Sequence, residues 1–244
     1  MFKIFQKKNQ PGLNFSVLGA DLHSHLIPGV DDGSPDVATS LQLIRGLQEL
    51  GFDRLVTTPH IMTELYPNTR KSIMDGLRTL KKALKEEKMD IPISAAAEYQ
   101  LDEGFEAHLN KKKLMALPND HVLVEMPFLS APPRLFEYLE KIREKGYQPI
   151  MAHPERYFFL KNNPAAYQRL IDMGCLLQVN ILSLIGYYGK PSRESAVNLL
   201  EKKSVTFLGT DLHHKQQLKS LRRALRDPYV QKVLGSYSFR NSEF

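Results

Sequence analysis

The chain has 244 residues, 42% hydrophobic and 25% charged, with a formal net charge of +6; this balance fits a globular protein with one sizeable core and excludes a mainly disordered chain. Cys175 is the single cysteine, which excludes a disulfide scaffold. The longest uncharged stretch, Met173 to Gly189, is broken by Gly174, Gln178, Asn180, Ser183 and Gly186 and does not read as a membrane span, and the N-terminus lacks the apolar run and cleavage site of a signal peptide, so the cytoplasm is the expected location.

In chain order, Phe15 to Leu22 reads as a strand, and Pro35 to Leu50 as a helix with Val37, Leu41, Ile44 and Leu47 three or four apart, capped by Ser34 or Asp36 and ended by Gly51. A strand over Asp53 to Thr57, a charged amphipathic helix over Asn68 to Lys88 and a strand over Ile91 to Ala97 follow. Then come a strand His121 to Glu125, a helix 132–145, a strand Tyr147 to Ala152, a helix 164–173 and a strand Cys175 to Asn180. A helix 191–203, a strand Val205 to Gly209 and a helix 215–226 complete the series, and 227–244 reads as a tail packed on the outside or partly loose. About seven strands alternating with helices imply a parallel sheet with right-handed crossovers, closed or nearly closed into a barrel. The competing open doubly wound sheet lacks its Gly-rich fingerprint after the first strand. Charge is local: Lys3, Lys7 and Lys8 lie in residues 1–11, and Lys215, Lys219, Arg222, Arg223 and Arg226 in 215–226, with no acid in either segment. Since these eight cations exceed the net charge by two, the rest of the chain is mildly acidic, and no nucleic-acid partner is expected.

The informative pattern is where imidazoles and carboxylates fall. His23 and His25 end the first strand, and strand alternation places both on one face, roughly 7 Å apart. His60 follows the second strand and Glu98 the third; Glu125 ends the fourth and His153 the fifth; Asp211 and His213 follow the seventh at i, i+2. Asp31 and Asp32 sit in the loop after the first strand. All strand C-termini of a parallel barrel open on one face, where active sites are built. Five of the eight histidines therefore converge with these carboxylates. Such donors form zinc, manganese, iron or nickel sites, and the mixed set suits manganese and iron well. Two or more ions can generate hydroxide and clamp the attacking and leaving oxygens. A lone strand-end histidine is more often a hydrogen-bonded structural residue; the joint placement at one rim is what points to a polynuclear site. His108, His121 and His214 stay outside the set, in a polar helical segment, at the opposite rim and beside a candidate ligand respectively.

Asp-Leu-His23-Ser-His25, Val-Asp-Asp32-Gly, Thr-Pro-His60, Ala-Glu98, Val-Glu125, Ala-His153-Pro-Glu-Arg156 and Gly-Thr-Asp211-Leu-His213 resemble the polymerase-and-histidinol-phosphatase (PHP) superfamily. The run from His23 to Gly33 with His153-Pro-Glu-Arg-Tyr157 is similar to the bacterial manganese-dependent protein-tyrosine phosphatases of the capsular and exopolysaccharide type, over residues 18–214. The resemblance implies a single-domain, distorted (β/α)7 TIM-like barrel over residues 15–244, preceded by an extension, 1–14. It implies three Mn²⁺ ions, with iron or zinc as alternatives. His23, His25, Glu98 and Asp211 would hold one ion; Glu98, Glu125 and His153 a second, with Glu98 bridging; Asp32, His60 and His213 a third. The last three, with Arg156 on the substrate phosphate, carry the catalytic roles. Implied substrates are phosphotyrosine proteins, notably a tyrosine kinase of polysaccharide synthesis and export, hydrolysed through a metal-activated hydroxide. Relatives often carry an arginine beyond the last Asp-x-His. Here Lys215 and Lys219 are the candidates for that charge, Lys219 being the substrate-binding assignment.

The chemistry stands without the resemblance. A phosphomonoester dianion repels hydroxide, and metal cations both neutralise it and make hydroxide available near pH 7. Arg156 offers planar bidentate donors to phosphate oxygens. Cysteine-phosphatase chemistry is excluded, because the arginine required after the thiol is replaced, relative to Cys175, by Ile181. The rivals are a small-metabolite phosphatase, such as one for histidinol phosphate, and a silent binding module with a structural metal.

Overall fold

The computed structural model describes residues 12–110, 113–161 and 163–244. The basic stretch of residues 1–11 lies outside them. The expected first strand is shorter than its apolar pattern suggested. The Asn14 side chain accepts from the Ser16 amide and starts a 3₁₀ turn, Phe15–Val17, so extended structure begins at β1, Ala20–Asp21. Next come α1 (Val37–Glu49), β2 (Arg54–Thr57), β3 (His60–Ile61), α2 (Arg70–Glu86), β4 (Ile93–Ala95), β5 (Glu98–Gln100) and α3 (Phe105–Leu109). After these are β6 (His121–Glu125), α4 (Leu135–Glu144), β7 (Gln148–Ala152), α5 (Pro164–Asp172), β8 (Leu176–Asn180), α6 (Lys190–Glu201), β9 (Phe207–Gly209), α7 (Lys215–Ala224) and α8 (Pro228–Ser236). Of the two expected caps for α1, Asp36 serves, accepting from the Thr39 amide at 2.7 Å.

Every pairing between the named strands is parallel, in the orders β1-β2-β4 and β3-β5-β6-β7-β8-β9. The two groups are one sheet bent in the middle. Pro59, with no N–H, interrupts β2–β3, yet Ala96 donates to Thr57 and Glu98 to Pro59 across the bend. The outer edges meet beyond the strand ends. Ser24 and Leu212 form a parallel bridge, with Asp211 donating to His23 at 2.8 Å and His25 donating to Leu212 at 3.0 Å. The result is a TIM-barrel-like fold in which all strand C-termini share one face. The strands carry buried apolar side chains, and each helix buries one stripe, as α2 does with Ile73, Leu77, Leu80 and Leu84.

The C-terminal segment is not an outer tail. Beyond α8 it turns under the opposite end of the barrel, where β1 and β9 do not pair. Asn241, fully buried, donates to Ala20 and Leu208 carbonyls and accepts from the Leu208 amide, so one side chain replaces the missing ladder. Phe244 stacks on Phe207 at 5.1 Å. Asn241→Ala should lower the unfolding free energy by about 2–3 kcal/mol, because it strands buried backbone groups. Urea unfolding reads this, and a loss below about 0.5 kcal/mol would show that the bridge is not holding the two strands.

Candidate metal centre and active-site cleft

The nine expected ligands gather at the C-terminal rim. Eight have little exposure, and only the Asp32 side chain is about half exposed, at 53%. Three imidazoles are tethered in the same way. His23 directs Nδ1 to Gln178 Oε1 at 2.6 Å, His25 directs Nδ1 to Asp31 Oδ2 at 2.8 Å, and His213 directs Nδ1 to the Asp211 carbonyl at 2.9 Å. Each acceptor fixes the proton on Nδ1 and leaves the Nε2 lone pair facing inward, the arrangement that orients metal-binding histidines.

Four atoms meet at the centre. His23 Nε2 lies 3.1 Å from Glu98 Oε2, 3.4 Å from Asp211 Oδ1 and 3.4 Å from His25 Nε2. The same Glu98 oxygen is 3.2 Å from His60 Nδ1, and Glu98 Oε1 is 3.0 Å from His153 Nε2. His25 Nε2 lies 3.4 Å from Glu98 Oε2 as well, so Glu98 is shared among four imidazoles. His60 Nδ1 also faces Glu125 Oε1 at 3.1 Å, while His60 Nε2 and His213 Nε2 flank Asp32 Oδ1 at 3.4 and 3.6 Å. Potential ligand atoms lie within 4.8 Å of one another in four overlapping groups: His25, Asp32, His60, His213; His23, Glu98, His153; His23, His25, Asp211; and His60, Glu98, Glu125. These differ in detail from the three implied sets, chiefly in that His25 joins the Asp32 group and His60 faces the two glutamates. Although 3.1 Å apart, His60 Nδ1 and Glu125 Oε1 are not aligned for a hydrogen bond, and both, like His153 Nδ1, are buried without one. Orphaned donors and acceptors around a shared buried carboxylate fit a bound cation.

The titration of these groups says the same. Burial opposes charge on His23, but Glu98 and Asp211 outweigh it and raise its pKa to about 9. Burial likewise opposes charge on His60, and Glu98, Asp32 and Glu125 overcome it, lifting it well above the ordinary value. Glu98 is held well below the carboxylate range by His23 and His60 despite complete burial. His213 moves the other way, because burial and the adjacent His25 push it down to about 4. Without metal, protons occupy positions where the acceptors call for a cation.

The backbone supports the site at some cost. His153 and Asp211 both hold left-handed φ, 34° and 50°. Such residues cost of order 1–3 kcal/mol each and cluster at functional sites. Gly209 lies beneath, where a Cβ would run into the Gln178 amide that tethers His23. Asp211 Oδ2 takes Arg156 Nη1 and Asn180 Nδ2, each at 2.7 Å, which leaves Oδ1 facing the histidines. The Arg156 guanidinium sits between the rings of Phe128 and Tyr188, 4.7 and 4.3 Å from their centroids. Phe128, Arg156 and Asp211 border a cleft of about 350 Å³ that also reaches Asp32, His60, Glu125, His153 and His213. Lys219 does not join it. That side chain is exposed on α7, whose buried face is formed by Gln217, Leu218, Ser220, Leu221 and Ala224. Lys215 is exposed at the start of the same helix and is also absent from the cleft lining. A larger groove of about 760 Å³, along Lys81, Lys85 and Ile93, lacks imidazoles, so size alone does not mark the site.

The sequence marks Asp31 as a rim carboxylate but not as a support, and it does not single out Gln178, Asn180 or Gln217 as site residues. Asp31 also accepts from the His60 and Gly33 amides. Gln178 and Asn180 form a hydrogen-bonded pair reaching from His23 to Asp211. Gln217 accepts from the His213 amide and donates to the Asp211 carbonyl. A signal for Gln178 and Asn180 was present: two amides at i, i+2 closing an otherwise apolar strand.

The profile of the family described as capsular polysaccharide synthesis, CpsB/CapC, matches residues 19–241. The tyrosine-protein phosphatase YwqE of Bacillus subtilis is 30% identical over 196 residues, 80% of this chain and 77% of that protein. A crystal structure from the pair YwqE of B. subtilis and CpsB of Streptococcus pneumoniae, described as unique metal-dependent tyrosine phosphatases, superposes with a TM-score of 0.77. It is 24% identical and covers 90% of this chain and 96% of that one. The histidinol phosphate phosphatase of Lactococcus lactis, solved with zinc, L-histidinol and phosphate, shares the fold at a TM-score of 0.51 and 14% identity, over 85% of this chain and 91% of that one. The match to the family profile over nearly the whole described chain, and the 30% identity to YwqE, show that this chain belongs to the CpsB/CapC family of capsular polysaccharide synthesis.

Proposed function

We propose that this chain is a metal-dependent protein-tyrosine phosphatase whose domain spans residues 15–244. The observation that carries the reading is the buried Glu98 carboxylate, contacted by four imidazoles at a rim that also presents Arg156. His23, His25, Glu98 and Asp211 would hold one ion; Glu98, Glu125 and His153 a second; Asp32, His60 and His213 a third. Mixed imidazole and carboxylate donors suit manganese. Bound metal would supply charge neutralisation and water activation near neutral pH.

The chain's own residues do the rest. Arg156 lines the cleft and can offer a planar fork to phosphate oxygens, with its orientation fixed by two rings and Asp211. Asp31, Gln178 and Asn180 hold the histidines and Asp211 in place, so little reorganisation accompanies substrate entry. The tyrosine leaving group, with a pKa of about 10, makes small demands on a general acid. A tyrosine kinase of capsule synthesis is the proposed physiological substrate, in keeping with the family's role. Initial rates on phosphotyrosine peptides, phosphoserine peptides and histidinol phosphate test the assignment. Phosphotyrosine should lead by at least about a hundredfold, a difference of some 3 kcal/mol in transition-state binding. Preference for histidinol phosphate would reject it.

A further inference from the structure

The floor of the cleft is ionic, but part of its wall is apolar and aromatic, and that wall comes from two loops. Phe128, after β6, stacks on His153 at 5.7 Å and 19° and lies against Arg156, yet remains 38% exposed. In the loop between β3 and α2, Tyr66 stacks on His60 at 5.5 Å and 13°, and the neighbouring Leu65 is 71% exposed. Large apolar side chains left in water beside a polar site gain nothing from folding, and they gain on burial under a ligand.

The second loop is also held rigid. Met62 donates to the Tyr66 carbonyl at 2.9 Å, Thr63 bonds Asp102 through both its amide and its hydroxyl, at 2.8 and 2.9 Å, and Asn68 donates to the His60 carbonyl at 2.9 Å. The wall is therefore preformed.

We propose that Leu65, Tyr66 and Phe128 form an aryl subsite that receives the phenyl ring of phosphotyrosine while its phosphate reaches Arg156. The proposal rests on the phosphatase reading and adds the residues that select an aromatic ester. Phosphotyrosine carries its phosphate one ring further from the peptide backbone than phosphoserine does. It can thus fill the gap between an exposed apolar wall and a buried ionic floor, whereas phosphoserine brings a single methylene and would have to draw the peptide backbone into the cleft. Aromatic and aliphatic walls with a few polar groups at the base are the usual composition of a small-molecule pocket, and stacking on fixed rings adds to area burial.

The test compares calorimetric binding of phenylphosphonate and methylphosphonate, two non-hydrolysable ligands with similar anionic heads, to the manganese-loaded full chain. Wild type should prefer the phenyl ligand by about tenfold or more. Leu65→Ala should cut that ratio about threefold, Leu65→Ala with Phe128→Ala should bring it close to unity, and Phe128→Leu should retain most of it. A variant that merely disturbs His153 or Arg156 weakens both ligands and leaves the ratio intact. A wild-type ratio near one, or a ratio unchanged in the double variant, would overturn the subsite. Loss of the ratio in the double variant, alongside a wild type that fails to hydrolyse phosphotyrosine, would leave the subsite standing and remove the phosphatase reading instead.

Discussion

Glu98→Gln is expected to abolish retention of the two ions assigned to Glu98 and to lower phosphotyrosine turnover by about a thousandfold or more, the loss that follows from removing several kcal/mol of metal-derived charge stabilisation. The substitution keeps the shape of the side chain but removes the charge at the one point where His23, His25, His60 and His153 meet. An amide there also presents donors to imidazole lone pairs on which metals would bind. Elemental analysis beside the activity assay separates this outcome from misfolding, and circular dichroism should stay that of wild type. A fully active Glu98→Gln protein would remove Glu98 from the centre. The metal-free wild type has its own pH signature. Because Glu98 and Asp211 raise His23 from 6.5 to about 9, its contribution to stability is complete below about 6.5 and is lost as pH rises through about 9.

Arg156→Ala is expected to leave metal content unchanged and to reduce kcat/KM for phosphotyrosine peptides by about a hundredfold, the size of effect seen when one preorganised donor to a developing charge is removed. Asp211 keeps its bond from Asn180, so the ligand it supplies should survive. Arg156→Lys should recover only part of the loss, because an ammonium cannot reproduce the fork or stack between Phe128 and Tyr188. Equal loss of metal and activity in Arg156→Ala would mean that the guanidinium acts by supporting Asp211 rather than by binding phosphate.

The sequence disclosed the centre better than the scaffold around it. Strand alternation and parallel topology are local rules, and together they were enough to bring His23, His25, Glu98, Glu125, His153 and Asp211 to one rim. Phe15 and Val17 mimic a strand, and only the competing Asn14 hydrogen bond reveals a 3₁₀ turn. Asn241 gives no hint in its neighbours of a role between β1 and β9, because its partners lie 221 and 33 residues away. Asp31 and Asp32 are adjacent and chemically identical. The loop sends one to the back of His25 and the other to the front of His60, a difference set by backbone direction and not by residue type. Lys219 carries the charge such a site calls for, but the buried face of α7 turns it to solvent.

Calorimetric titration of manganese into the chelator-stripped full chain at pH 7, in two buffers of different ionisation heat, tests the centre most directly. The predicted result is more than one ion bound per chain, at least one proton displaced because His23 titrates near 9, affinity that climbs with pH, and phosphotyrosine hydrolysis that returns as the ions bind. Absence of binding, or ions taken up with no proton released and no hydrolysis restored, would contradict it.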